Sequence, residues 1–131
     1  MDNRETPLSL VLFSGTDDKL SAAAVLAVGA AAMGRPVNVF LQYYAVDAFR
    51  VGRVHADHGL APEATETQTP ALRAHRGQHW SELLQQAKEL GDVRIHACAL
   101  SMEMFEITKD DPSNVVEMVE LLPMIKKRMA R

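Results

Sequence analysis

The single cysteine of this 131-residue chain, Cys98, stands where an alternating run gives way to a helical one. Val93, Ile95 and Ala97 alternate with Arg94 and His96, the period of a half-buried strand. Beyond Cys98 and Ala99 the pattern changes, with Met102, Phe105 and Glu106 at helical spacing and Ser101 placed to cap the helix. In an open α/β sheet the carboxyl ends of the strands are where ligands and chemistry collect, because helix amino termini present unpaired N–H groups there. Such a place favours an anion, and a thiolate is one. The competing reading is that Cys98 is a small buried hydrophobe.

Other residues could serve the same site. In an extended strand His96 projects to the face of Cys98, with Cα atoms ~6.5 Å apart; it is placed to stabilise a thiolate or simply to pack. Ser14-Gly15-Thr16-Asp17-Asp18-Lys19 is a strand–turn–helix junction with a cap in Thr16 or Asp17. Its one glycine and the lack of a Lys-Ser/Thr pair argue against a phosphate loop. Ser14, Gly15 and Thr16 should share the sheet edge of Cys98 and line the site with Ala99 and Ser101. His55-x2-His58 and His75-x3-His79 mimic two halves of a zinc site. No cysteine accompanies them, however, and they lie where structural periodicity is weakest. Solvated loop histidines are therefore the expectation, with no metal and no other cofactor. No Ser-His-Asp arrangement is supported by a local motif.

These residues need a scaffold. Residues 8–14 are almost continuously apolar, as expected of a strand buried on both faces. A helix follows over residues 18–33, rich in alanine and nearly without a polar face, ending at Gly34 and Pro36. Residues 37–43 form the next strand, so the opening third reads as a right-handed βαβ unit. A short helix over 44–51 precedes a stretch, 52–79, with no periodicity and two prolines, Pro62 and Pro70; it reads as a lid or a flexible insertion. Residues 80–90 are helical, with Trp80, Leu83, Leu84 and Ala87 as a stripe, His79 or Ser81 at the start and Gly91 at the end. Residues 114–118 read as a fourth strand or the start of a last helix. Residues 120–131 read as helix, with Pro123 in the first turn and Lys126, Lys127, Arg128 and Arg131 towards the end. The expectation is one α/β domain over residues 1–131, three-layered, with a mainly parallel sheet of four to five strands.

Bulk properties narrow the function. The net charge of −3 leaves no basic footprint, so nucleic acid is not an expected partner. With one cysteine there is neither an internal disulfide nor a CxxC metal knuckle, which fits a reducing compartment. Met-Asp-Asn-Arg-Glu-Thr-Pro at the start lacks the basic-then-apolar order of a signal peptide. No apolar stretch reaches the ~18 residues that span a bilayer. A cytoplasmic protein without a membrane span is expected, and the apolar helix over 18–33 suggests a homo-oligomer.

Taken together, Ser14–Lys19, the helix end Ala30-Ala31-Ala32-Met33-Gly34, Ala97-Cys98-Ala99-Leu100-Ser101-Met102 with Ile107, and Val115-Val116-Glu117-Met118-Val119-Glu120 resemble the DsrE/DsrF-like family. The resemblance covers most of the chain and fails mainly across residues 45–78. It implies a small oligomeric α/β protein of flavodoxin-like appearance. The family's best-known members are sulfur-relay proteins, such as those of the TusBCD complex. In these a cysteine at the end of a central strand carries sulfane sulfur, and Cys98 matches that position. The implied function is a sulfur carrier or sulfurtransferase-like relay without independent turnover. It would hold a persulfide or thiosulfonate on Cys98, with TusA-like or rhodanese-like proteins as donor and acceptor. A lone cysteine has no resolving thiol in its own chain, so the acceptor must be another molecule. Two other classes stay open: a non-catalytic anion- or nucleotide-binding module, and a structural or regulatory oligomer.

Overall fold

A computed structural model describes residues 6–74, 77–107, 115 and 118–121. The apolar run at the start forms β1 (Leu8–Leu12), and Thr16 then opens α1 (Asp17–Ala32). The helix stops at Met33 because Gly34 takes a φ of 81°, which lets the chain turn away before Pro36. β2 (Val37–Leu41) and the one-and-a-half-turn α2 (Tyr44–Ala48) follow, then a loop and α3 (Gln68–Ala74). After α4 (Trp80–Leu90) come β3 (Val93–Ala97), α5 (Ala99–Met104) and β4 (Val119–Leu121).

The sheet has four parallel strands among the described residues, in the order β1-β2-β3-β4. It is the α/β, mainly parallel architecture expected from the alternating elements. The order advances one strand at a time, so right-handed crossovers place α1 and α4 on the same face, where the two helices pack against each other. Their contact is built from small residues: Ala23, Ala24, Ala27, Ala30 and Ala31 of α1 are buried, which brings the neighbouring backbones close. Gly91 comes so near that a Cβ there would stand 3.3 Å from the Ala31 carbonyl oxygen. Beneath the helices lie Val37, Val39, Leu41, Val93 and Ile95, all buried, each contributing about 1.5–3 kcal/mol of apolar burial. The opposite face, with Val11, Asn38, Phe40, Arg94 and His96, is only partly covered.

Two local expectations are corrected. Residues 52–79 contain α3, whose exposed surface hides it from periodicity analysis. A capping box announces it instead: the Gln68 N–H donates to Thr65 Oγ1 and the Thr65 N–H to Gln68 Oε1. Pro70 sits in its first turn, where no intrahelical N–H is needed. Glu120 is not helical: it pairs opposite His96 in β4, exposed beside the buried Val119, an edge-strand alternation that the following basic residues obscure. Of residues 114–118 only Val115, in an antiparallel bridge with Arg50, and Met118, in a turn, are described. Of the helix expected over 120–131, residues 122–131 lie outside the described residues.

Candidate functional site

Cys98 is the first residue past β3, and its N–H extends the β2–β3 ladder by donating to the Leu41 carbonyl at 2.9 Å. Its own carbonyl accepts from the Met102 N–H at 3.1 Å, so Cys98 itself is the N-cap of α5. The expectation that Ser101 caps this helix is corrected: Ser101 is buried inside α5, where its Oγ accepts the Tyr43 N–H at 2.9 Å. That bond braces the end of β2 against α5. It also holds Tyr43 in an unusual backbone conformation, φ 51°, a cost that a non-glycine residue bears only where its surroundings fix it.

The free thiol is half-buried, as is Ala99, while Leu100 is exposed. The same edge exposes Phe13, Tyr43, Tyr44 and Met104, with the Phe13 ring 6.3 Å from Tyr43 and the Tyr44 ring 6.1 Å from Phe105. His96 lies two residues before Cys98, stacked on Phe40 at 5.3 Å. Its Nδ1 is buried without a hydrogen-bond partner, the environment of a packed strand histidine.

Ser14, Gly15 and Thr16 are on this edge but at the end of β1, two strands from β3 and therefore roughly 10 Å across the sheet. They line a separate cavity of about 490 Å³ with Tyr44, Asp47, Arg53, Asp57 and His58. Ser14 Oγ and Thr16 Oγ1 are hydrogen-bonded to each other at 3.1 Å, so neither hydroxyl caps α1. The amino terminus of α1 is engaged by the chain itself: the Asp17 N–H donates to the Gly59 carbonyl and the Lys19 N–H to the Asp18 carboxylate. With two carboxylates also in the first turn, this end does not invite an anion.

Sequence reasoning missed what Asp17 and Asp18 do. Asp17 accepts from the His58 N–H and the Trp80 Nε1–H, and Asp18 accepts from the Ala61 N–H. Together they pin the loop after α2 to the start of α1. The acidic pair at a helix start was the available signal, but His58 and Ala61 lie more than forty residues away in a stretch without periodicity, and Trp80 lies 63 residues away. His55, His58 and His79 gather around this junction, with ring centroids 5.5 Å apart for His55 and His79 and 5.9 Å for His58 and Trp80. Among the described residues no three His, Cys, Asp or Glu side chains are grouped to hold a metal ion; His75 lies outside them. No helix of the described residues is long and apolar enough to cross a membrane.

Residues 4–74 match the sequence profile of the DsrE/DsrF/DrsH-like family. Among solved structures the chain is similar to the YchN protein from E. coli, with 13% identity, a TM-score of 0.49 and coverage of 94% of this chain and 87% of that one. No curated protein sequence matches it.

Proposed function

Because the chain belongs to the DsrE/DsrF/DrsH-like family, we propose that it is a sulfur carrier in which Cys98 holds sulfane sulfur for a partner thiol. The supporting observation is the placement of Cys98: a free, half-buried thiol at the carboxyl end of β3, fixed through its backbone at both N–H and carbonyl. The chemistry balances without an external oxidant. The Cys98 thiolate attacks the outer sulfur of a donor persulfide, the donor's S–S bond breaks, and the donor leaves as a thiolate. In the second step an acceptor thiolate attacks the outer sulfur of the Cys98 persulfide, and Cys98 is the leaving group. Neither step needs a second cysteine in this chain. Both need another protein at the edge, and the exposed Phe13, Tyr43, Tyr44, Leu100 and Met104 offer it apolar contact. The reading takes residues 1–131 as one domain that works as a homo-oligomer, with TusA-like or rhodanese-like proteins as donor and acceptor.

Intact-protein mass spectrometry after incubation with polysulfide tests the proposal. The wild type should gain sulfur-sized increments that dithiothreitol removes, and Cys98→Ser should gain none while keeping its thermal midpoint within about 5 °C. Equal uptake by the serine variant, or a wild type that gains no sulfur, would overturn it. Engagement of the α1 amino terminus weighs against an anion- or nucleotide-binding module.

A further inference from the structure

His79 caps α4 in a way that depends on its charge. The Ser81 N–H donates to His79 Nδ1 at 3.2 Å, and Ser81 Oγ lies 2.7 Å from the same nitrogen. Nδ1 is therefore the unprotonated acceptor nitrogen of a neutral ring, and the proton sits on Nε2. That Nε2, like Nε2 of His58, is buried without a partner. Both rings face the side chain of Trp80, His79 at 4.7 Å and His58 at 5.9 Å, and His55 lies beside His79. The backbone of His58 is held by Asp17, which also accepts from Trp80 Nε1 at 2.9 Å. One carboxylate thus joins the loop, α1 and the first residue of α4.

We propose that His79, with His58 and His55 around Trp80, is an acid-sensitive latch: while its ring is neutral it reinforces the hold of Asp17 and Asp18 on the 52–62 loop, and it loosens that hold when the ring is charged. A second proton on His79 must go to Nδ1. It turns the cap acceptor into a donor, which breaks the bond from the Ser81 N–H, leaves Ser81 Oγ as the acceptor of the new N–H, and puts a cation at the positive end of the α4 dipole. The surrounding charges divide. Burial pushes His79 down from its ordinary value of 6.5, Asp17 and Glu82 pull it up, and His55 and His58 push it down, with the net shift downward. The sign follows: the latched form binds fewer protons than the released form, so the latch is intact above the ordinary histidine range and weakens as pH falls through it. Release would free His58 from Asp17 and open the cavity that His58 shares with Ser14, Gly15 and Thr16. None of this depends on the chemistry of Cys98.

Trp80 is the only tryptophan, so its fluorescence reports the latch directly. Between about pH 7.5 and 5.5 the wild type should show a change in Trp80 emission with its midpoint below that of a free histidine. Over the same range, hydrogen exchange in residues 52–62 and at the start of α4, corrected for its intrinsic pH dependence, should rise about five- to tenfold more than in β1–β3. His79→Asn keeps a cap acceptor but cannot titrate, and should flatten both responses. Flat wild-type emission, an unchanged response in His79→Asn, or loss of protection across the whole chain at once would each overturn the proposal. Should the variant fail to fold, nitrogen NMR of the wild-type imidazoles decides: an Nδ1–H tautomer or a charged His79 ring at about pH 7.5 also overturns it.

Discussion

At Gly15 the chain leaves no room for a side chain, since a Cβ would stand 2.5 Å from the Tyr44 carbonyl oxygen. Gly15→Ala must push the β1–α1 junction away from α2 and should destabilise the protein by about 1–3 kcal/mol in urea denaturation. Ser101 carries a different kind of constraint. Its hydroxyl is the acceptor for the Tyr43 N–H, so Ser101→Ala should cost about 1–3 kcal/mol. If Cys98 is the carrier, the same variant should lower its rate of sulfur transfer more than its total sulfur uptake, because the edge loosens while the thiol remains. Cys98 itself was legible as a strand-end thiol from a change of periodicity. Ser101 was read as a cap because sequence shows a serine near a helix start. Which backbone it serves depends on β2 lying beside β3, a pairing between segments more than fifty residues apart that no local pattern encodes.

Helix α1 shows two faces. Ala23, Ala24, Ala27, Ala30 and Ala31 are buried, while Val25, Leu26 and, just past the helix end, Met33 are exposed, at 60%, 55% and 72%. That outer surface is the basis for expecting a homo-oligomer, and Leu26→Glu combined with Val25→Glu should shift sedimentation towards the 14.4 kDa monomer. Wild type sedimenting at that mass at micromolar concentration would remove the expectation. The loop after α2 depends on Asp18. Partial burial raises its carboxyl, but hydrogen bonds from the Thr16 side chain and the Ala61 and Lys19 N–H groups outweigh it and leave it below the ordinary 3.8. Its contribution is present above that value and lost as pH falls beneath it. Asp18→Ala should speed exchange of the Ala61 amide about tenfold near neutral pH, leaving β1–β3 amides unchanged. The ends of α1 and α4 were readable from Gly34, Pro36 and Gly91. The docking of residues 52–62 was not, because it rests on two carboxylates meeting backbone N–H groups, which leaves no hydrophobic period to detect.

For the molecule as a whole, the sheet could be anticipated because β1, β2 and β3 are short apolar runs separated by helical ones. The sequence does not carry the strand order, and β4 escaped because Glu120, exposed on an edge strand, looks like the start of a polar helix. The order has a consequence in time. Leu8 pairs with Val37 and Val37 with Val93, so no two neighbouring strands meet through a tight turn. The second pairing closes roughly twice as much chain as the first, which adds about 0.6 kcal/mol of closure entropy and delays the contact until more chain has been made. As the polypeptide leaves the ribosome, β1, α1 and β2 can assemble, yet the far edge of β2 stays open until residues 93–97 have been made. A nascent chain in that interval presents unpaired N–H and carbonyl groups beside bare Val39 and Leu41, a surface prone to joining another copy of itself. The yield of native protein should therefore respond to synthesis rate and temperature more steeply than the stability of the finished fold would suggest.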